Sequence, residues 1–139
     1  MKLDISSLRQ NIRPFDAFNP YELYAMLRLR SEVFVVEQQC AFLDADNKDQ
    51  LCHHLLIYQD EQLAAYARLV PPEVSYAEIS IGRIATSHQS RKTGLGKELM
   101  KRSVQACYEL FGKGDIRIGA QDYAIRFYES IGFTPDGAG

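Results

Sequence analysis

The sequence predicts a single domain of the α/β (α+β) class: a mixed, mostly antiparallel sheet flanked by helices. Three observations predict it. Apolar residues recur at helical spacing in three stretches. Three β-rich runs follow one another with turn residues between them. The elements then come in the order α, β-meander, α, β, α, β. The 139 residues suit one domain, residues 1–139, long enough for a core without disulfides or a structural metal.

The first strong element follows Asn19-Pro20-Tyr21-Glu22. Asn19 can cap the first free amides, Pro20 suits the first helical position, and the Glu22 carboxylate can reach back to the cap. Leu23, Leu27 and Phe34 fall near one face, and the helix is expected to run to about Gln38. Residues 42–49 read as a polar, solvated loop at the rim of a substrate entrance. Its Asp44-Ala45-Asp46-Asn47-Lys48-Asp49 fails as a calcium loop, because Lys48 holds a ligand position and Asp49 stands where glycine is required. A strand from His54 to Tyr58, a tight turn at Gln59–Gln62, a returning strand from Leu63 to Val70 and a third from about Ala77 to Thr86 form the meander. Leu95, Leu99, Cys107 and Leu110 mark the stripe of a second helix, which Gly112 and Gly114 end. A short strand over 115–120, a third helix over 121–130 and a strand beginning at Phe133 complete the reading.

Composition narrows the function. The formal net charge is −2, so no bulk field favours nucleic acid, and any anion site must be local. Cys40, Cys52 and Cys107 are odd in number and widely spaced, which reads as reduced thiols in a cytoplasmic protein. No apolar run approaches the length of a membrane span, and the first residues lack the apolar segment of a secretory signal.

The stretch from Ile81 to Lys97 carries the chemistry. A strand runs into a short polar turn containing Gly94 and Gly96, and the turn opens directly into an amphipathic helix. Glycines let the backbone approach a ligand, and the unsatisfied amides and dipole of a helix start attract an anion. Arg91, Lys92 and Lys97 add positive charge. A purely structural basic turn has the same local features, so this stretch alone leaves both readings open. Two other phosphate motifs are excluded. A Walker A loop requires Ser or Thr after the lysine, where Glu98 stands, and a dinucleotide fingerprint requires a third glycine, where Leu99 stands.

Arg91-x-x-Gly94-x-Gly96 after a strand resembles the pyrophosphate-binding motif of the GNAT superfamily of acetyl-CoA-dependent N-acetyltransferases. Gln121-x-x-Ala124-x-x-Phe127-Tyr128-x-x-x-Gly132-Phe133 resembles that superfamily's second motif, in the right order. Leu29-Arg30, Val33 to Gln38, His54, Ala65 to Arg68, Ile81-Gly82-Arg83 and Gly119-Ala120-Gln121 extend the resemblance to its ElaA-like branch. The resemblance implies a GNAT-like sheet and acetyl transfer from acetyl-CoA, as cosubstrate and without a metal, to a primary amine on a small molecule or peptide. It implies that Ile84, Ala85 and Thr86 pair with the pantetheine arm. The segment Lys92, Thr93, Gly94, Leu95, Gly96 and Lys97 would cradle the pyrophosphate beside Arg91. Gln121 would contact pantetheine, and Tyr128 would be the general acid. The relatives resembled carry further strands after Gly-Phe, whereas this chain reads only Thr134 to Gly139 beyond Phe133; the expectation is a shortened sheet whose open edge invites a homodimer.

Protonation of a leaving thiolate by a tyrosine within hydrogen-bond reach is sound chemistry, although a tyrosine on a helix stripe is more often a core aromatic. Four residues are candidates for the acceptor side. Glu37 is a base or a solvated helix-end charge. His54 lines a cleft or is a satisfied strand histidine; His53 must face the other way, so the two are not a metal pair. Arg30 and Arg83 grip a substrate carboxylate or form structural ion pairs. A non-catalytic acyl-CoA sensor or interaction module is the alternative to an enzyme.

Overall fold

The structure, a computed structural model, describes residues 4–39, 43–91 and 93–118. Five strands form one sheet in the order β1 (Arg9–Pro14), β2 (His53–Gln59), β3 (Gln62–Val70), β4 (Ile79–Thr86) and β5 (Ile116–Ile118). The first four pair antiparallel, and β5 lies parallel to β4 through Ile79↔Ile116 to Ile81↔Ile118. Helix α1 (Pro20–Arg30) and helix α2 (Leu95–Phe111) pack on opposite faces. The mixed, mostly antiparallel sheet flanked by helices is therefore as expected. The third helix and last strand lie outside the described residues.

Alternation along β2 makes this two-faced architecture possible. Leu55 and Ile57 point to one side, where Leu69, Ile81, Leu95, Leu99, Met100 and Cys107 bury them. Leu56 and Tyr58 point to the other, against Met26, Leu29, Val33, Tyr66 and Ala85. Each fully buried Leu or Ile is worth roughly 1.5–3 kcal/mol. Strand β1 has no counterpart in the sequence reading. Four of its six residues are polar, Ile12 packs against the core, and it is a strand because β2 offers it an edge, from Arg9↔Tyr58 to Pro14↔His53.

The start of α1 is built as its sequence dictates. Asn19 Oδ1 accepts from the Glu22 amide at 2.8 Å, and Glu22 Oε1 accepts from the Asn19 amide at 3.2 Å. The expected stripe holds in part: Leu23 and Phe34 pack against the cluster of Met26, Leu29 and Val33, but Leu27 is exposed. Apolar residues lie on every side of α1, so spacing could not select a face. After Arg30 the helix widens into a π-helical segment, Ser31–Glu37. On α2 the expected Leu95, Leu99 and Cys107 are buried, whereas Leu110 is exposed and Ala106 is buried beside them. The β2–β3 hairpin closes with Asp60 and Glu61, both at positive φ (51° and 67°), the two-residue turn that suits the strands' twist.

Candidate acyl-CoA site

The site grows from the C-terminal half of β4. Between Tyr66↔Ala85 and Arg68↔Gly82 the register slips by one: β3 contributes Ala67 while β4 contributes Arg83 and Ile84. This is a β-bulge, and Arg83 adopts φ 51°, a left-handed conformation that glycine usually supplies. Beyond it, Ile84 to Thr86 continue to a tight turn. The Ser87 amide donates to the Ala64 carbonyl at 2.8 Å, and the hydroxyls of Ser87 and Ser90 meet at 2.9 Å. Thr93 Oγ1 donates to the Ser90 carbonyl at 2.5 Å and receives the Leu95 amide at 3.4 Å. Gly94, at φ 94°, then swings the chain into α2.

A side chain at Gly94 would meet no atom within 4 Å, so the surface there is open. Helix geometry leaves the first amides of α2 without intrahelical carbonyls, and the dipole adds partial positive charge. Arg91 stands beside this opening. Its Nη1 and Nη2 donate to the Glu37 carboxylate at 3.1 and 2.5 Å, and Nη2 also donates to the Thr86 carbonyl at 3.2 Å. A guanidinium has five N–H groups, so these contacts leave Nε and one Nη1 hydrogen for a further acceptor. The amides, the open turn and the arginine fit a pyrophosphate. A groove of about 990 Å³ borders Ser87–Ser90 from the α1 side. Glu32, Asp60 and Glu61 in its lining, against Arg28, make it a poor seat for phosphates.

Residues 21–138 match the family model described as an acetyltransferase (GNAT) domain. The chain belongs to the GNAT acetyltransferase family. It is 40% identical over 124 residues to a UPF0039 protein from Synechocystis sp., covering 88% of this chain and 80% of the relative. The crystal structure of an acyl-CoA N-acyltransferase from Pseudomonas aeruginosa superposes with a TM-score of 0.85 at 38% identity, over 91% of this chain and 88% of that one. Escherichia coli ElaA superposes with a TM-score of 0.87 at 31% identity, over 93% and 88%. The protein is thus an acyl-CoA N-acyltransferase of the GNAT type, and its reaction is acyl transfer from acyl-CoA.

Within this GNAT domain the structure brings together Ile84, Ala85, Thr86, Arg91, Thr93, Gly94, Leu95, Gly96 and Lys97, through β4, the turn and α2. Lys92, Gln121 and Tyr128 lie outside the described residues. Glu37, at the end of the π-helical segment, sits at the turn as the partner of Arg91, with His88 Nδ1 at 3.8 Å. Sequence reasoning had no means to join positions so far apart.

The other three acceptor-side candidates also have structural partners. His54 is fully buried. Its Nε2 lies 2.9 Å from the Asp49 carbonyl and its Nδ1 2.6 Å from the Tyr66 hydroxyl. A carbonyl only accepts, so Nε2 carries the proton and Nδ1 accepts from Tyr66. Burial depresses the His54 pKa to about 4, so the ring is neutral at pH 7. With both nitrogens occupied inside the core, His54 does not line a cleft. Arg30 is also fully buried, donating from Nε to Asp44 and from Nη1 to Asp49, each at 2.8 Å. Arg83 donates from Nε to Asp44 at 2.8 Å and from Nη2 to Asp46 at 3.3 Å.

The loop that read as solvated is instead the acidic half of an ionic network. Asp49 is buried, and Arg68 joins the network through Asp46 and Asp49. Burial works against the charge of Arg68, but the Asp46 and Asp49 carboxylates outweigh it and raise its pKa. Burial likewise opposes the charge of Asp46, and its hydrogen bonds to Arg68 and the Lys48 amide reverse the balance, holding it well below the usual carboxylate range. The loop was misread because its partners sit in other elements, where local composition gives no warning.

Proposed function

We propose that this protein transfers an acetyl group from acetyl-CoA to a primary amine, by direct attack of the amine on the thioester, with a small molecule or peptide as acceptor. The carrying observation is the continuity of bulged β4, the open left-handed Gly94 and the first turn of α2, with Arg91 alongside. In this reading the backbone of Ile84 to Thr86 receives the pantetheine arm. The amides of Gly96 and Lys97 and the spare Arg91 donors hold the pyrophosphate, and Lys92 and Lys97 add screened charge at its margin. Gln121 meets the pantetheine by its side-chain amide.

The amine attacks as the free base. The new C–N bond forms, the C–S bond breaks, and the Tyr128 hydroxyl gives its proton to the departing sulfur. The amine's surplus proton leaves to solvent, and the Tyr128 phenolate recovers a proton from solvent. His54 is withdrawn from this scheme by its place in the core, and Glu37 by its engagement with Arg91. A reduced, cytoplasmic setting agrees with Cys52 and Cys107, whose buried thiols are pushed up to about 11 and 12.

Calorimetry with acetyl-CoA, followed by colorimetric detection of free CoA thiol across a panel of amines and peptides, tests the proposal. Binding with amine-dependent thiol release supports it; binding without release from any acceptor returns the protein to the sensor reading. Tyr128→Phe is expected to lower turnover roughly 10²–10⁴-fold with acetyl-CoA affinity unchanged. Undiminished turnover with chemistry rate-limiting removes Tyr128 from the mechanism.

A further inference from the structure

The ion pairs around the 43–49 loop close on themselves. Arg30 pairs with Asp44, Asp44 with Arg83, Arg83 with Asp46, Asp46 with Arg68, Arg68 with Asp49, and Asp49 with Arg30 again. Positive and negative side chains alternate around this ring, and their charges balance. The ring joins four places in the fold: the end of α1, the loop, the middle of β3, and the bulge of β4. Arg83 is its member at the bulge, and also the residue at φ 51°.

An arginine is costly in that conformation, which for a residue with a Cβ lies roughly 1–2 kcal/mol above the right-handed one. It persists when the surroundings over-determine it. Here Asp44 does so by two routes, gripping Arg83 Nε at 2.8 Å through Oδ1 and accepting Arg83 Nη2 at 3.1 Å through its carbonyl. Asp44 is itself fixed by Arg30, whose Nε reaches Oδ2 at 2.8 Å and whose Nη2 reaches the carbonyl at 2.9 Å. Arg30 is anchored in the core. A rigid chain of contacts therefore runs from the buried end of α1 to the backbone of β4, immediately before Ile84.

We infer that Arg83 and Asp44 are positioning residues for acyl-CoA: the ring keeps β4 bulged, and the bulge presents Ile84 to Thr86 to the cosubstrate. This rests on the reading that those three residues receive acyl-CoA. Arg83 is then not a ligand of the acceptor's carboxylate. Loss of the ring lets β4 relax towards regular pairing with β3, and affinity falls by the fraction of molecules that leave the bulged form.

Arg83→Ala and Arg83→Gly test this as a pair. Both delete the same guanidinium and the same ion pairs; they differ in that glycine accepts positive φ and alanine resists it. Acetyl-CoA affinity is measured by calorimetry, with a urea midpoint for each variant. The wild type is titrated first: if it does not bind acetyl-CoA, the cosubstrate reading itself fails. With binding established, Arg83→Ala is expected to bind about five- to thirty-fold more weakly than Arg83→Gly. Equal affinities in the two variants, or affinities within twofold of wild type in both, overturn the inference. If either variant fails to fold, Asp44→Asn decides, since it leaves β4 untouched and removes a charge from the ring. A weakening of at least about threefold is expected there, and unchanged affinity overturns the inference.

Discussion

Replacing Gly94 with alanine separates two effects that the turn combines. The first is conformational. Gly94 sits at φ 94° and ψ 0°, where an L residue is strained by roughly 1–2 kcal/mol. Nothing lies within 4 Å of the position a Cβ would take, so no steric cost adds to it. Alanine also restricts the unfolded chain, an effect worth roughly 0.4–1 kcal/mol where its native angles are compatible; here the strain outweighs it. The net expectation is a loss of about 1 kcal/mol, or roughly 3–5 °C in Tm for a chain of this size. The second effect is on the ligand side. A methyl group projecting into open space at the mouth of the amide cradle obstructs the pyrophosphate, and acetyl-CoA affinity is expected to fall at least about tenfold, or 1.4 kcal/mol. Gly94→Asn is the companion variant, because asparagine tolerates the left-handed region; it should recover most of the stability but not the affinity. Urea denaturation and calorimetry on both variants check the two effects. If Gly94→Ala binds acetyl-CoA like the wild type, the backbone cradle is wrong, and with it the assignment of the Arg91–Lys97 turn.

Three further outcomes follow from named contacts. His54 has a pKa of about 4 in the folded protein, against 6.5 when exposed, so its contribution to stability is complete above pH 6.5 and is lost as pH falls towards 4. The loss approaches about 3 kcal/mol, and the pH slope of the urea midpoint in this window should vanish in His54→Gln; a slope that persists assigns it to other groups. Glu37→Gln weakens a partly exposed pair, worth roughly 0.2–1 kcal/mol, that occupies the Arg91 fork. Acetyl-CoA should bind about one and a half- to five-fold more tightly at low salt and with less advantage at high salt; weaker binding would show that Glu37 pre-orients Arg91 instead. Glu61→Gly relieves a positive φ of 67° in the β2–β3 turn and, after the added freedom of the unfolded chain, should raise the unfolding free energy from urea denaturation by about 0.5–1 kcal/mol; an unchanged or lowered value would show that the turn carries no such strain.

What the sequence determined by itself is what nearest neighbours along the chain decide. The capping box at Asn19–Glu22, the two-residue hairpin at Asp60-Glu61, the meander, and the glycine turn opening α2 each depend on residues a few positions apart, and each is where local chemistry puts it. The turn proposed to face the pyrophosphate was legible for the same reason. Strand β1, the buried face of α1 and the fate of the aspartate loop were not. A polar strand exists only because an edge awaits it, and an evenly apolar helix has no face until a sheet covers one. Asp44, Asp46 and Asp49 look solvated until folding delivers Arg30, Arg68 and Arg83 to them. Tertiary structure alone made that decision, because a charge can leave water only where an opposite charge from a distant part of the chain is held within hydrogen-bond reach.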